Sequence, residues 1–158
     1  MTRRHRAIAG FTLVEMMVVL SILSVLALMS LPLAELAVTR QKEKELRHAL
    51  VEIRDAIDAY KQAVDKGQLV SMTGSGYPAS LDVLSDGVPD VKANGAKRYF
   101  MRRIPRDPFA PEDVPAAKTW GLRSYDSPPD KPRAGADVFD VYSLSDRRGL
   151  NGVPLRQW

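Results

Sequence analysis

The chain has 158 residues, 45% of them hydrophobic, which suffices for one domain and a separate element but not for two full domains. Its formal net charge is +4, and Arg3, Arg4 and Arg6 supply three of those four charges, so the basic balance speaks poorly for a nucleic-acid-binding body. With Cys 0 and His 2, the composition excludes disulfides, cysteine-ligated zinc, a thiol nucleophile and a multi-histidine metal centre within one chain.

From Met16 to Ala34 there are 19 residues without a charge. As a helix rising ~1.5 Å per residue they would span about 29 Å, close to the roughly 30 Å of a bilayer core. A secretory signal peptide competes for this segment, and an exported binding protein that loses its first 34 residues is the corresponding alternative. Its apolar region is usually about 7–15 residues, shorter than this one. Glu15 also stands between the basic residues and the apolar core, where a leader would carry no acid. Flanking charge favours a cytoplasmic N-terminus only weakly, because Arg40, Lys42, Lys44 and Arg47 follow the run as closely as the first arginines precede it.

Glu15 is either a wetted carboxylate at the membrane edge or a group with a designated partner. Cleavage after Gly10 would free the α-amino group of Phe11, one helical turn before Glu15. An ammonium and a carboxylate four residues apart can meet within one chain or across to a neighbour, and each then neutralises the other in apolar surroundings.

The run Arg6-Ala7-Ile8-Ala9-Gly10-Phe11-Thr12-Leu13-Val14-Glu15-Met16, with Pro32 inside the apolar segment, resembles the N-terminus of type IV pilin-like proteins and type II secretion pseudopilins. The resemblance implies that a prepilin peptidase cuts between Gly10 and Phe11 and methylates Phe11, and that Glu15 is the assembly carboxylate. It also places a local bend or melted turn at Pro32, which lacks an N–H and whose ring clashes with the preceding turn.

Downstream, Leu46, Leu50, Ile53, Ile57, Tyr60 and Val64 recur at alternating steps of four and three, a helical stripe that ends where Gly67 can cap it. The remaining faces are charged and contain Glu43/Arg47, Arg54/Asp58 and Lys61/Asp65 at i, i+4 spacing, with His48 on the solvated side. Just under three heptads is marginal for a coiled coil, so the stripe is expected to pack on the chain's own downstream domain. Residues 12–66 therefore read as one interrupted helix, apolar all round and then one-sided.

Composition changes at Gly67: ten of the 11 prolines and nine of the 10 glycines lie from there onward, in a loop-rich part of 92 residues. Gly74-Ser75-Gly76 matches neither a phosphate-binding loop nor a nucleophile elbow, so Ser75 is expected in a turn. Tyr77 to Leu84 reads as a short helix with Ser80 as N-cap, broken at Asp86-Gly87, and Asn94-Gly95 is a turn signal. Lys97, Arg98, Arg102, Arg103 and Arg106 form an acid-free basic run around Tyr99 and Phe100. Its solvated or internally paired reading is preferred over a nucleic-acid patch. Trp120 to Tyr125 and Asp137 to Leu144 read as two strands joined by an exposed proline-rich connection, and Asp137 and Asp140 fall on opposite faces, too far apart in direction for a catalytic dyad.

Tyr77-Pro78, then Arg103-Ile104-Pro105-Arg106-Asp107-Pro108-Phe109, Phe139-Asp140-Val141-Tyr142-Ser143-Leu144 and Trp158, is similar to the major pseudopilin of type II secretion, with an insertion-like Ala110 to Lys118. The resemblance implies an α+β, pilin-like fold in which a long N-terminal helix, its first half membrane-spanning, packs on a small antiparallel sheet. Residues 1–10 would be a leader, 11–34 a transmembrane and assembly helix, 35–66 its amphipathic half, and 67–158 a periplasmic domain.

The function so implied is assembly, with no catalytic residues: an inner-membrane, single-pass subunit of a periplasmic pseudopilus. Its partners would be copies of itself, minor pseudopilins, the prepilin peptidase, an inner-membrane platform with a cytoplasmic ATPase, secreted exoproteins, and lipid before assembly. A minor pilin of a type IV pilus or DNA-uptake machine is the alternative within the class. The family's calcium loop would fall at Leu144-Ser145-Asp146, but Arg147 and Arg148 follow and no acid occurs after Asp146. Asp146, Asn151 and backbone oxygens are the local candidates for calcium, and packing of Leu150, Pro154 and Trp158 on the sheet is the competing way to hold the loop.

Overall fold

The computed structural model describes residues 11–158, without the side chains of 28–33 inside the first helix. The expected leader, with Gly10, therefore lies outside the described residues. The described residues divide into two units, with the boundary between Thr39 and Arg40.

A single helix, α1, runs Leu13–Asp65 over 53 residues. It stays helical through position 32, so the turn at Pro32 is not melted. Loss of one backbone N–H removes one rung of the ladder, which the turns on either side tolerate. The Pro32 side chain is itself outside the described residues. Among the described residues no helix is long and apolar enough to cross a membrane. The expectation of a spanning first half is thus not supported by the described residues.

In the second unit the stripe on α1 is buried as its spacing predicts: Leu46, Leu50, Ile53, Ile57 and Tyr60 are inaccessible or nearly so, and Ala49, Ala56 and Ala63 widen the buried face. The helix ends in a left-handed turn at Gly67 (φ 63°), where the Gln68 N–H reaches the Ala63 carbonyl at 2.9 Å and the Gly67 N–H reaches that of Val64 at 2.8 Å.

A short helix, α2 (Asp82–Asp86), follows the connecting loop. Ser80 does not cap it, contrary to expectation, because Leu81 already has helical backbone angles and no side chain serves as cap. Gly87 (φ 80°) stops α2, and a Cβ there would stand 2.7 Å from the Tyr99 ring. Next comes a two-residue hairpin, β1 (Val88–Pro89) with β2 (Lys97–Arg98), whose connection turns at Asn94 and Gly95 with positive φ at both. Asp90 braces it by capping the Lys92 N–H at 2.9 Å and pairing with Arg98 at 2.7 Å.

The second sheet pairs β3 (Trp120–Arg123) antiparallel to β4 (Asp140–Ser143), from Trp120 opposite Ser143 to Arg123 opposite Asp140. Both strands are shorter than their sequence pattern because Asp137 ends the ladder. Its carboxylate, 5% exposed, accepts from the Tyr125 N–H at 2.9 Å, the Ser124 hydroxyl at 2.8 Å, and the Ser75 hydroxyl. Side chains of α1, α2, both sheets and Leu155 form one apolar cluster, with Val64, Phe100 and Trp158 packed at its edge. A helix on small antiparallel sheets is the α+β arrangement expected.

Burial alone would raise the Asp137 pKa, but the donors from Ser75, Tyr125 and Ser124 outweigh it and hold the carboxyl below its usual range. A carboxyl whose folded pKa is lowered stabilises the fold above the unfolded value, and that contribution disappears as pH falls through the folded one. Asp137→Asn should therefore lose stability at neutral pH relative to wild type, with the gap closing in acid below about pH 4. Urea melts at pH 7 and pH 3 measure this, and a gap independent of pH would contradict it.

Candidate functional site

The site is built on the first turns of α1. Thr12 sits at its N-cap: its hydroxyl accepts the Glu15 N–H at 3.2 Å, and its carbonyl accepts the Met16 N–H at 3.1 Å. Thr12-Leu13-Val14-Glu15 has the spacing of a capping box, a signal present in the sequence and missed in reading it. The cap makes Phe11 the residue just outside the helix and Glu15 a member of its first turn, where a carboxylate also favours the helix dipole.

Both Phe11 and Glu15 are exposed, Phe11 to 76%, and so is every apolar side chain described from Leu13 to Leu26. The polar groups inside this stretch are turned back on the helix. Ser21 and Ser24 donate to the carbonyls of Met17 and Leu20, each at 2.7 Å. What remains outward is a continuous apolar surface with one carboxylate at its head. Water does not tolerate such a surface on a monomer, so it needs lipid or protein to cover it.

The other candidates separate from it. Asp146 is exposed, and among the described residues no three histidine or acidic side chains converge to hold a metal. The Asn151 Oδ1 already accepts the Val153 N–H at 3.0 Å, and Arg148 Nη1 donates to the Gly152 carbonyl at 3.0 Å. The residues present do not fit calcium, which takes six to eight oxygens. Of the alternative expectation for this loop, Trp158 packs against the apolar cluster, whereas Leu150 is half exposed and Leu155 is the leucine that enters the core.

Asp140 binds Arg54 at 2.8 Å and Arg123 at 3.3 Å, while Asp137 is engaged as described, so the two acids do not form a catalytic pair. Ser75 spends its hydroxyl on Asp137. His48 is exposed, in an open groove of about 560 Å³ with Glu45, Glu52, Arg103 and Arg106, where charge of both signs is mixed. Three of the five cations in the basic run are engaged by their own chain: Lys97 binds the Asp86 carbonyl, Arg98 binds Asp90, and Arg106 binds the Pro111 carbonyl. Phe100 packs edge-on against Tyr60 with ring centroids 5.4 Å apart.

A family model, the prokaryotic N-terminal methylation motif, matches residues 5–31. The chain carries a type IV pilin-like prepilin signal. The match takes in Gly10, Phe11, Thr12 and Glu15 and stops just before Pro32. This motif implies processing by a prepilin peptidase and polymerisation of a membrane-anchored subunit into a pilus-like filament, and its bearers are structural subunits. No curated protein and no solved structure matches the chain.

Proposed function

We propose that the chain is a pseudopilin: cut after Gly10, N-methylated at Phe11, and polymerised into the periplasmic pseudopilus of a type II secretion system. The observation that carries this reading is the uncovered apolar surface of α1, headed by a single carboxylate and lying within a methylation motif. Before assembly, residues 11–34 rest in the inner membrane, with residues 67–158 on the periplasmic side. On assembly, neighbouring copies replace lipid around them, and Glu15 meets the freed α-amine of Phe11 in its own chain or the next.

A secretory role as distinct from a pilus on the cell surface is supported by the pseudopilin-like pattern of the globular part, from Tyr77-Pro78 to Trp158. Minor pseudopilins, an inner-membrane platform with its ATPase, and secreted exoproteins are the partners that this role requires. Mass spectrometry of protein taken from its host tests the reading. An N-terminus at N-methyl-Phe11 is expected. A retained Met1 would overturn it, and a start near Glu35 would assign the chain to the exported binding proteins.

A further inference from the structure

We infer that the loop after β4 is closed by the Glu43 carboxylate and needs no divalent cation. Residues 144–155 could be gathered in either of two ways: oxygens turned onto a cation, or N–H groups turned onto an anion. Oxygens that would have to turn onto a cation at the tip of this loop are already accepting from its own donors. The Val153 carbonyl accepts the Gly149 N–H at 2.9 Å, the Gly149 carbonyl accepts the Gly152 N–H at 2.8 Å, and the Arg147 carbonyl accepts the Leu155 N–H at 3.0 Å. The Gly152 carbonyl takes Arg148, and the Asn151 side chain takes the Val153 N–H.

At the tip the Leu150 N–H points away from the loop and donates to Glu43 Oε1 at 2.6 Å across 107 positions of sequence. Glu43 is 6% exposed on α1, a position where an unpartnered carboxylate would be strongly disfavoured. A bond from a backbone N–H to an ionised carboxylate is among the stronger hydrogen bonds a protein makes. The electrostatics agree, because the loop carries Arg147 and Arg148, which repel a dication and attract an anion. Packing fixes the same position: a Cβ at Gly149 would stand 2.4 Å from the Trp158 ring, so the loop backbone lies directly against that indole. Glu43 thus does from within the chain what a bound cation would do from outside, with the polarity reversed.

The test uses the full mature chain in detergent and does not depend on whether it forms filaments. Thermal unfolding of wild type is expected at the same midpoint in millimolar calcium and in chelator. A calcium-dependent rise that disappears in Asp146→Asn would overturn the inference. In Glu43→Gln the midpoint should fall, and the Leu150 amide should exchange with solvent about tenfold faster or more, by mass-resolved hydrogen exchange. Unchanged exchange at Leu150 would also overturn it. The calcium comparison on wild type stands even if the Glu43 variant does not fold.

Discussion

Glu15→Leu should leave cleavage after Gly10 intact while abolishing filament assembly. The substitution removes the only acid between Arg6 and Glu35 and makes the first turns of α1 uniformly apolar, which favours residence in lipid. Under the proposed function it also strands the α-amine of Phe11 among neighbouring apolar helices. Breaking a buried ion pair by removing one partner typically costs about 3–5 kcal/mol, which here recurs at every subunit added. Filament yield should fall by two orders of magnitude or more by shearing or by cross-linking of assembled material, as about 1.4 kcal/mol is already tenfold. Normal yield from this variant would show that the carboxylate is only a wetted group at the end of the helix.

Ile53→Ala should be among the most damaging single changes in the globular part. Ile53 is fully buried midway along the α1 stripe, and truncating such a side chain costs about 2–5 kcal/mol through lost transfer energy and the cavity left behind. A domain of this size then melts about 10 °C lower or more. Val51, two positions away and half exposed, provides the contrast: Val51→Ala should change stability by no more than about 0.5 kcal/mol. Thermal unfolding of the two variants decides it, and equal melting points would mean that the stripe does not form the core.

The long helix was legible because its signal is periodic and local. Leu46, Leu50, Ile53, Ile57 and Tyr60 needed only helical spacing to be assigned inward, and Gly67 only its tolerance of positive φ. The motif at the head of α1 was legible for the same reason, since Gly10, Phe11 and Glu15 are neighbours in sequence. Thr12 was available on the same terms but was overlooked.

What could not be read depends on partners far away along the chain. Of the three i, i+4 ion pairs expected on α1, only Lys61 with Asp65 forms. Glu43 instead serves Leu150, and Arg54 serves Asp140, because a tertiary bond at a buried or half-buried position outweighs a solvated pair on the helix surface. The β1–β2 hairpin escaped because two-residue strands carry no alternation, and β3 and β4 looked longer than they are because nothing local announces that Asp137 will intercept the Ser124 and Tyr125 donors.

Arg54 contacts three separate acceptors, the Asp140 carboxylate at 2.8 Å, the Val141 carbonyl at 3.1 Å and the Trp158 carbonyl at 2.9 Å, and so fastens α1 both to β4 and to Trp158. The two sheets are tiny, and their ladders offer little resistance to shear. Mechanical load entering this domain along the α1 axis therefore passes through a guanidinium rivet and the apolar seam beside it, and under force the tail should peel away before the helix unwinds.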